Sequence, residues 1–199
     1  MGFFDALMGR SKPKPANLDD LFAVPPAVLT LQAATDFVPT GVAAVAFRAV
    51  EGGAIARAEE EARQLITSDP DTTVRTEEDD FGYTWLVIAD ANADTVNLVT
   101  NLHAVNTALE SQGFGPMLLC STVYFRSSQG VEAALVYLYK RGTFYPFVQA
   151  GPQRRDSAVE FNIKAAIGAD LKFEADLEKW SPLWGAPGMS DPPRELPAP

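Results

Sequence analysis

Three apolar stretches joined only by short turns constrain the fold of this chain more than any other feature. They cover residues 117–125, 131–140 and 143–149, separated by turns at 127–130 and 141–142. Strands joined by such short turns pair antiparallel, because a parallel pair needs a crossover of about a dozen residues or more. The middle stretch is almost continuously apolar, which is typical of a central strand. The sequence therefore predicts an antiparallel sheet in the centre of the fold.

Apolar periodicity and capping residues predict the other elements. In chain order, the predicted helices cover residues 18–37 (interrupted at Pro25-Pro26), 54–66, 94–112, 157–167 and 175–180. The further predicted strands cover residues 41–50, 72–77 and 83–89. Asp94 is expected to cap the third helix, and Ser157 with Glu160 to form a capping box for the next. Mostly antiparallel pairing with helices on one face makes an α+β fold. In the order of its elements, the region 72–167 also resembles the type III secretion chaperones and YbjN-like proteins.

The length of 199 residues favours one domain that buries its own core. We expect an N-terminal segment at 1–15, a single α+β domain at 16–186 and a disordered tail at 187–199, where five prolines occur. No apolar stretch approaches the ~20 residues that cross a bilayer, and the N-terminus lacks the features of a secretory signal. The sequence therefore predicts a cytoplasmic protein.

The N-terminal segment combines an apolar helix face with basic residues. The apolar residues are Phe3, Phe4, Leu7 and Met8, and the basic residues that follow are Arg10, Lys12 and Lys14. This pairing suits a membrane interface or a partner surface, although so short a segment binds membranes only weakly. Packing on the body of the same chain explains the pattern equally well, so both interpretations stay open.

The net charge of the chain is −10 and is unevenly distributed. Residues 1–15 carry three basic side chains and one acidic side chain, so they contribute +2 and the remainder contributes −12. A body this acidic repels a phosphate backbone. We therefore expect no nucleic-acid partner.

The sequence offers few residues for catalysis, since it holds one histidine, His103, and one cysteine, Cys120. A catalytic triad would depend on His103, and no nucleophile elbow or phosphate-binding glycine loop occurs. Cys120 lies in an apolar run, which predicts a small buried hydrophobe. The acidic run 77–80 lacks the ligand spacing of a calcium loop and is better interpreted as a solvated turn. We expect a protein without catalytic residues, cofactor or metal; an enzyme with an unrecognised carboxylate site is the alternative.

Aromatic side chains give the main candidates for a contact surface within the body. The candidate residues are Tyr137, Tyr139, Phe144, Tyr145, Phe147, Trp180 and Trp184. Alternate residues of a strand face opposite sides of a sheet, so one set is expected in the core and the other in a groove or contact face. Core packing and cross-strand pairing are the favoured explanation for most of these rings. A chaperone-like module that holds a client peptide on its sheet is a further hypothesis.

Three stretches together resemble a known family. They are residues 1–10 (MGFFDALMGR), 81–87 (FGYTWLV) and 180–185 (WSPLWG). Their combination resembles the PspA-associated protein PspAB of GC-rich Gram-positive bacteria. The resemblance implies a non-enzymatic accessory protein of the phage-shock, or envelope-stress, response. Its expected partner is PspA, a coiled-coil protein that coats damaged inner membrane, or a related stress protein, and a peripheral contact with that membrane is also expected. The resemblance carries over no functional residues.

Overall fold

The computed structural model describes residues 17–48, 53–66 and 69–190. Within these ranges the chain forms four α-helices and seven strands, with a 3-10 turn at Leu18–Ala23. The helices are α1 (Val24–Ala34), α2 (Gly53–Ile66), α3 (Thr95–Leu109) and α4 (Ser157–Ile167). The strands are β1 (Val38–Arg48), β2 (Thr72–Glu78), β3 (Tyr83–Asp90), β4 (Leu118–Arg126), β5 (Glu132–Leu138), β6 (Thr143–Gly151) and β7 (Arg154–Arg155). The predicted order of elements and the α+β class are confirmed.

All seven strands belong to one antiparallel sheet of order β2-β3-β1-β4-β5-β6-β7. The three strands predicted from the apolar stretches, β4 to β6, lie side by side. Strand β1 lies between β3 and β4, so that Val45 is opposite both Leu86 and Ser121. Hairpins join β2 to β3, β4 to β5 and β5 to β6, as the short turns predict, whereas the helices α2 and α3 connect β1 to β2 and β3 to β4.

The four helices cover one face of this sheet. Alternate strand residues such as Val45, Leu86 and Phe125 pack there against the helices. The apolar residues that recur every three or four positions along α3 (Leu98, Leu102, Val105 and Leu109) are fully buried in this cluster. Asp94 caps α3 as predicted, because its Oδ1 accepts hydrogen bonds from the backbone N–H groups of Val96 and Asn97.

The opposite face of the sheet is covered by the C-terminal chain rather than by a helix. We call residues 176–190 the strap; its Trp180, Ala186 and Met189 pack in the cluster on this face. Met189 is only 2% exposed, and the Tyr124 hydroxyl donates a hydrogen bond of 2.9 Å to the Pro187 carbonyl. The packed chain therefore continues through residue 190, past the predicted start of the tail at 187. Residues 191–199 lie outside the described ranges.

Three predicted helix features differ in the structure. Pro25 and Pro26 do not interrupt a helix but occupy its first turn, where the missing N–H group is tolerated. The predicted helix at 175–180 is a single 3-10 turn, Leu177–Lys179. The predicted capping box at α4 is also wrong, because Asp156 is the N-cap and accepts from the Val159 N–H group. Glu160 points inward to other partners.

Strand β1 begins at Val38, three residues before its predicted start. Its pairing with β4 shifts between Pro39 and Ala43, which obscures the alternation of apolar residues in the sequence. Gly41 in this irregularity has φ +78°, and an added Cβ would lie 2.7 Å from the Asp90 carbonyl oxygen. Only glycine fits such a close approach.

Candidate protein-binding groove

A groove of about 290 Å³ lies on the strap-covered face of the sheet, at one end of the strands. One wall is the turn between β2 and β3 with the start of β3, and the other is the strap; the ends of β4 and β5 form its floor. The side chains that dominate its lining are Phe81, Tyr83, Trp85, Leu138, Leu183 and Trp184. We call this site the aromatic groove.

Phe81 is the most exposed ring of the aromatic groove. It is 68% exposed, whereas Tyr83 and Trp184 are half-buried and Trp85 is buried. Large apolar side chains that stay exposed beside buried aromatic rings are typical of contact surfaces. Phe81 was not predicted as a contact residue; the sequence signal for it is an aromatic residue between the acidic run 77–80 and Gly82, at a predicted turn.

Asp79 builds the first wall of the groove. Its Oδ1 accepts hydrogen bonds of 2.9 Å from the backbone N–H groups of Phe81 and Tyr83. Its Oδ2 accepts a bond of 2.9 Å from the indole N–H of Trp85. One carboxylate of the acidic run thus fixes both the turn and the orientation of a groove ring, which agrees with a turn rather than a calcium loop.

The second wall is tied to the sheet by hydrogen bonds to its backbone. The Tyr145 hydroxyl donates a bond of 2.9 Å to the Ser181 carbonyl, and the Arg155 guanidinium donates to the Trp180 carbonyl. Trp180 stacks on Tyr145 with ring centroids 6.0 Å apart, and Trp184 meets Phe147 edge-on at 5.0 Å. These contacts hold the strap at a fixed distance from the groove floor.

The structure buries most of the candidate aromatic contact residues, as the favoured explanation of core packing predicts. Of the seven predicted aromatic residues, only Trp184 is half-buried, and the other six are buried. Tyr137, Tyr139 and Phe144 lie in the helix-side cluster, while Tyr145, Phe147 and Trp180 lie beneath or within the strap. While the helices and the strap are in place, these six buried rings have almost no exposed surface, although Tyr145 lies at the bottom of the aromatic groove. The predicted N-terminal contact residues Phe3, Phe4, Leu7, Met8, Arg10, Lys12 and Lys14 lie outside the described residues.

Two buried carboxylates, Glu160 and Glu174, form ion pairs that the sequence analysis did not predict. Each is 2% exposed and paired with an arginine: Glu160 with Arg155 and Glu174 with Arg141. Burial raises the pKa of Glu160, against the opposing effects of the Val148 N–H group and Arg155. The hydrogen-bonded guanidinium of Arg141 lowers the pKa of Glu174 to about 2. Both carboxylates are committed to structural ion pairs and offer no free general acid or base.

The Glu174 pair predicts a distinct loss of stability in acid. The pKa of Glu174 is about 2 in the folded protein, against an ordinary glutamate value of 4.5. Its contribution is therefore fully present above pH ~4.5 and is lost as the pH falls toward ~2. Water reaches Arg141 and weakens its ion pair with Glu174. We therefore expect Glu174→Gln to lower the free energy of unfolding at neutral pH by only about 1–3 kcal/mol. When urea unfolding is repeated at decreasing pH, the difference in the free energy of unfolding between the native protein and the variant should become smaller. Exposed Glu178→Gln is the control, and a pH-independent difference for Glu174→Gln would contradict the assignment.

His103 and Cys120 do not meet in the structure. The His103 Nε2 lies 3.2 Å from the Asp19 carboxylate, and its ring centroid is 4.8 Å from that of Phe22, on the helix side of the sheet. Cys120 is buried on the strap side, and burial raises the pKa of its thiol to about 12. The prediction of a small buried hydrophobe is confirmed. Among the described residues, no group of three His, Cys, Asp or Glu side chains is arranged to hold a metal ion.

The two internal stretches that carry the family resemblance meet at the aromatic groove. Residues 81–87 provide one wall and residues 180–185 the other. A family model described as PspA associated protein B matches residues 1–188. The chain belongs to the PspAB family. Membership confirms the resemblance drawn from the sequence and shows that the family pattern includes both groove walls and the N-terminal segment.

The other comparisons add no relative to the PspAB match. No match was found among curated proteins or among solved structures. The looser resemblance to type III secretion chaperones and YbjN-like proteins is therefore not confirmed. In the described part of the chain, no helix has the length and apolar character needed to span a bilayer.

Proposed function

We propose that this chain is a non-enzymatic accessory protein of the PspA membrane-stress response, which binds PspA or a related envelope-stress protein through the aromatic groove. The supporting observation is that the family is described as PspA-associated and that its two internal signature stretches converge on one exposed apolar site. The protein acts in the cytoplasm, close to the inner membrane surface. Its N-terminal segment supplies a weak, peripheral membrane contact.

The chemistry of the groove suits an apolar side chain of a protein partner. Phe81, Tyr83 and Trp184 are rigid rings with exposed area, and burial of such rings dominates the affinity of many interfaces. The adjoining turn also carries the acidic residues Glu78 and Asp80, which are exposed. An acidic rim favours a partner with basic residues beside its apolar contact, and it makes association faster at low salt.

Binding of purified PspA to variants of the full chain tests this proposal. Phe81→Ser removes the exposed ring and keeps the backbone N–H group that Asp79 binds, so the fold should be unaffected. We expect a loss of about 1–3 kcal/mol in binding, or roughly 5–150-fold in Kd. Leu29→Ser is the matched control, because Leu29 is equally exposed, at 70%, but lies on α1. No binding of PspA, or equal binding by the two variants, would contradict the proposal.

The membrane contact is tested separately by flotation with liposomes that contain anionic lipid. Deletion of residues 1–15 should abolish the weak flotation of the full chain, because it removes the apolar residues and the basic residues together. A variant with Arg10, Lys12 and Lys14 replaced by glutamine should float poorly and lose its dependence on anionic lipid. Unchanged flotation of the deletion variant would rule out this role of the segment.

A chaperone-like peptide-binding module is the second candidate function. Helices and strap cover the two sheet faces, so a client would have to use the aromatic groove rather than the sheet surface. This function would be favoured if the full chain suppressed the aggregation of a client protein but did not bind PspA. The suppression should be lost in Phe81→Ser. Crosslinking would show whether the active form is a dimer. An unrecognised carboxylate enzyme is the third hypothesis, which an activity screen addresses.

A further inference from the structure

The first described residue of the chain lies at the same end of the sheet as the aromatic groove. The Asn17 carbonyl accepts a hydrogen bond of 2.9 Å from the Tyr137 hydroxyl. The next residue along β5, Leu138, lines the groove on the opposite face of the sheet. The N-terminal segment therefore joins the body on the helix side of the same strand end that carries the groove on its other side.

The segment is long enough to reach the groove. Eight residues lie between Met8 and Asn17, and the nine steps that join them span at most ~3.3–3.6 Å each when the chain is extended, or about 30 Å. Each packed layer lies about 10 Å from the sheet, so the path from the helix side to the strap side covers about 20 Å. The connection also contains Pro13 and Pro15, which favour an extended backbone.

The segment and the groove are complementary in both polarity and charge. The groove offers aromatic and aliphatic side chains, and the segment offers Phe3, Phe4, Leu7 and Met8. Methionine sulfur and aromatic rings make favourable contacts. The segment carries +2 in a chain whose remainder carries −12. The groove turn contributes Glu78, Asp79 and Asp80 to that negative charge.

We propose that, in the absence of a partner, the N-terminal segment of the same chain occupies the aromatic groove through Phe3, Phe4, Leu7 and Met8. The groove is then self-occupied, and a partner gains access only by competing with the segment. A membrane that takes up the apolar face of the segment would free the groove at the same time. This inference goes beyond the proposed function and does not depend on the identity of the partner.

Photo-crosslinking in the isolated full chain locates the segment directly. A benzophenone side chain replaces Phe4, and the same group at exposed Gln129, at the far end of the sheet, is the control. We expect the probe at position 4 to mark peptides that contain residues 81–85 or 181–186, in monomeric product and independently of protein concentration. Marks elsewhere, or a product that is dimeric and grows with concentration, would overturn occupation by the same chain. The latter result would indicate a second copy instead.

A second measurement asks whether the segment binds when it is supplied separately. All three tryptophans of the chain (Trp85, Trp180 and Trp184) lie in the groove or the strap, so their fluorescence reports on occupation. A peptide of residues 1–15 is added to a variant from which residues 1–15 have been deleted. It should shift the tryptophan emission to shorter wavelength, with a Kd of about 0.1 mM or tighter. A tether of this length gives an effective concentration of about 1 mM, so such a Kd means about 90% occupation in the intact chain.

The controls separate groove binding from non-specific association. A peptide with serine at positions 3, 4, 7 and 8 should not bind, and Phe81→Ser should weaken the native peptide at least 10-fold while Leu29→Ser leaves its Kd unchanged. A Kd weaker than about 1 mM overturns the proposal, because the tethered segment would then be free most of the time. PspA is absent from all these measurements, so their failure is distinct from failure of the proposed function.

Discussion

Replacing Arg155 by methionine should lower the free energy of unfolding by about 3–5 kcal/mol. Its guanidinium Nε lies 2.6 and 2.8 Å from the two carboxylate oxygens of Glu160, and its other nitrogens donate to the carbonyls of Trp180 and Pro146. Without it, Glu160 keeps a hydrogen bond to the Val148 N–H group but stays buried without a countercharge. A buried charge that has lost its partner is among the most destabilising changes in a protein.

Urea unfolding of Arg155→Met measures this effect, and Arg154→Met, at the adjacent position, is the matched control. Arg154 is exposed and donates only to the Ala150 carbonyl, so its replacement should cost less than about 0.5 kcal/mol. Glu160→Leu added to Arg155→Met removes both charges and should restore at least about 1 kcal/mol. Equal and small losses in the two single variants would show that the ion pair does not hold α4 and the strap together.

The cost of Arg155→Met should also depend on pH in a defined direction. Burial already raises the pKa of Glu160, and loss of the arginine raises it further. A carboxyl group with a raised pKa in the folded state stabilises that state at low pH, and this contribution is lost as the pH rises through the folded pKa. The loss caused by Arg155→Met should therefore be smaller near pH ~5 than near pH ~7. A loss that grows as the pH falls would contradict this account.

Replacing Gly188 by alanine is expected to cost about 2–4 kcal/mol, the second largest effect. Gly188 lies in the strap with φ +88°, a conformation that alanine adopts only with strain. An added Cβ would lie 2.9 Å from a Val42 methyl carbon and 3.0 Å from both the Tyr124 ring and a Val87 methyl carbon. The strap therefore rests so close to the sheet that no side chain fits between them.

Gly185→Ala separates the two contributions to this loss. Gly185 is in the same strap at φ +66°, but nothing lies within 4 Å of an added Cβ. Its replacement should cost only the conformational strain, about 1–2 kcal/mol. Thermal unfolding and limited proteolysis of residues 176–190 give the comparison. If Gly188→Ala were no worse than Gly185→Ala, the close packing of the strap on the sheet would be wrong.

The sequence determined those parts of the fold that depend on neighbours along the chain. The hairpins β4–β5 and β5–β6 follow from short turns, the stripe on α3 from helical periodicity, and the cap of α3 from Asp94. Each of these signals is local, so it is readable without knowing what packs against the element. The family pattern, carried by residues along the whole chain, was readable for the same reason.

Only the tertiary structure decided where the candidate site lies. The two walls of the groove, residues 81–85 and 180–186, are about a hundred positions apart in the sequence. Neither helical periodicity nor a turn sequence predicts that they lie next to each other. Glu160 illustrates the same limit, since its sequence position suggested a capping box while Arg155 and the Val148 N–H group hold it inward. The sequence left open which aromatic residues of β5 and β6 lie in the core and which form a contact face, and in the structure helices and strap bury them all. Whether a side chain is buried depends on which distant segment covers it, and this is determined by the tertiary packing of the whole chain rather than by local sequence.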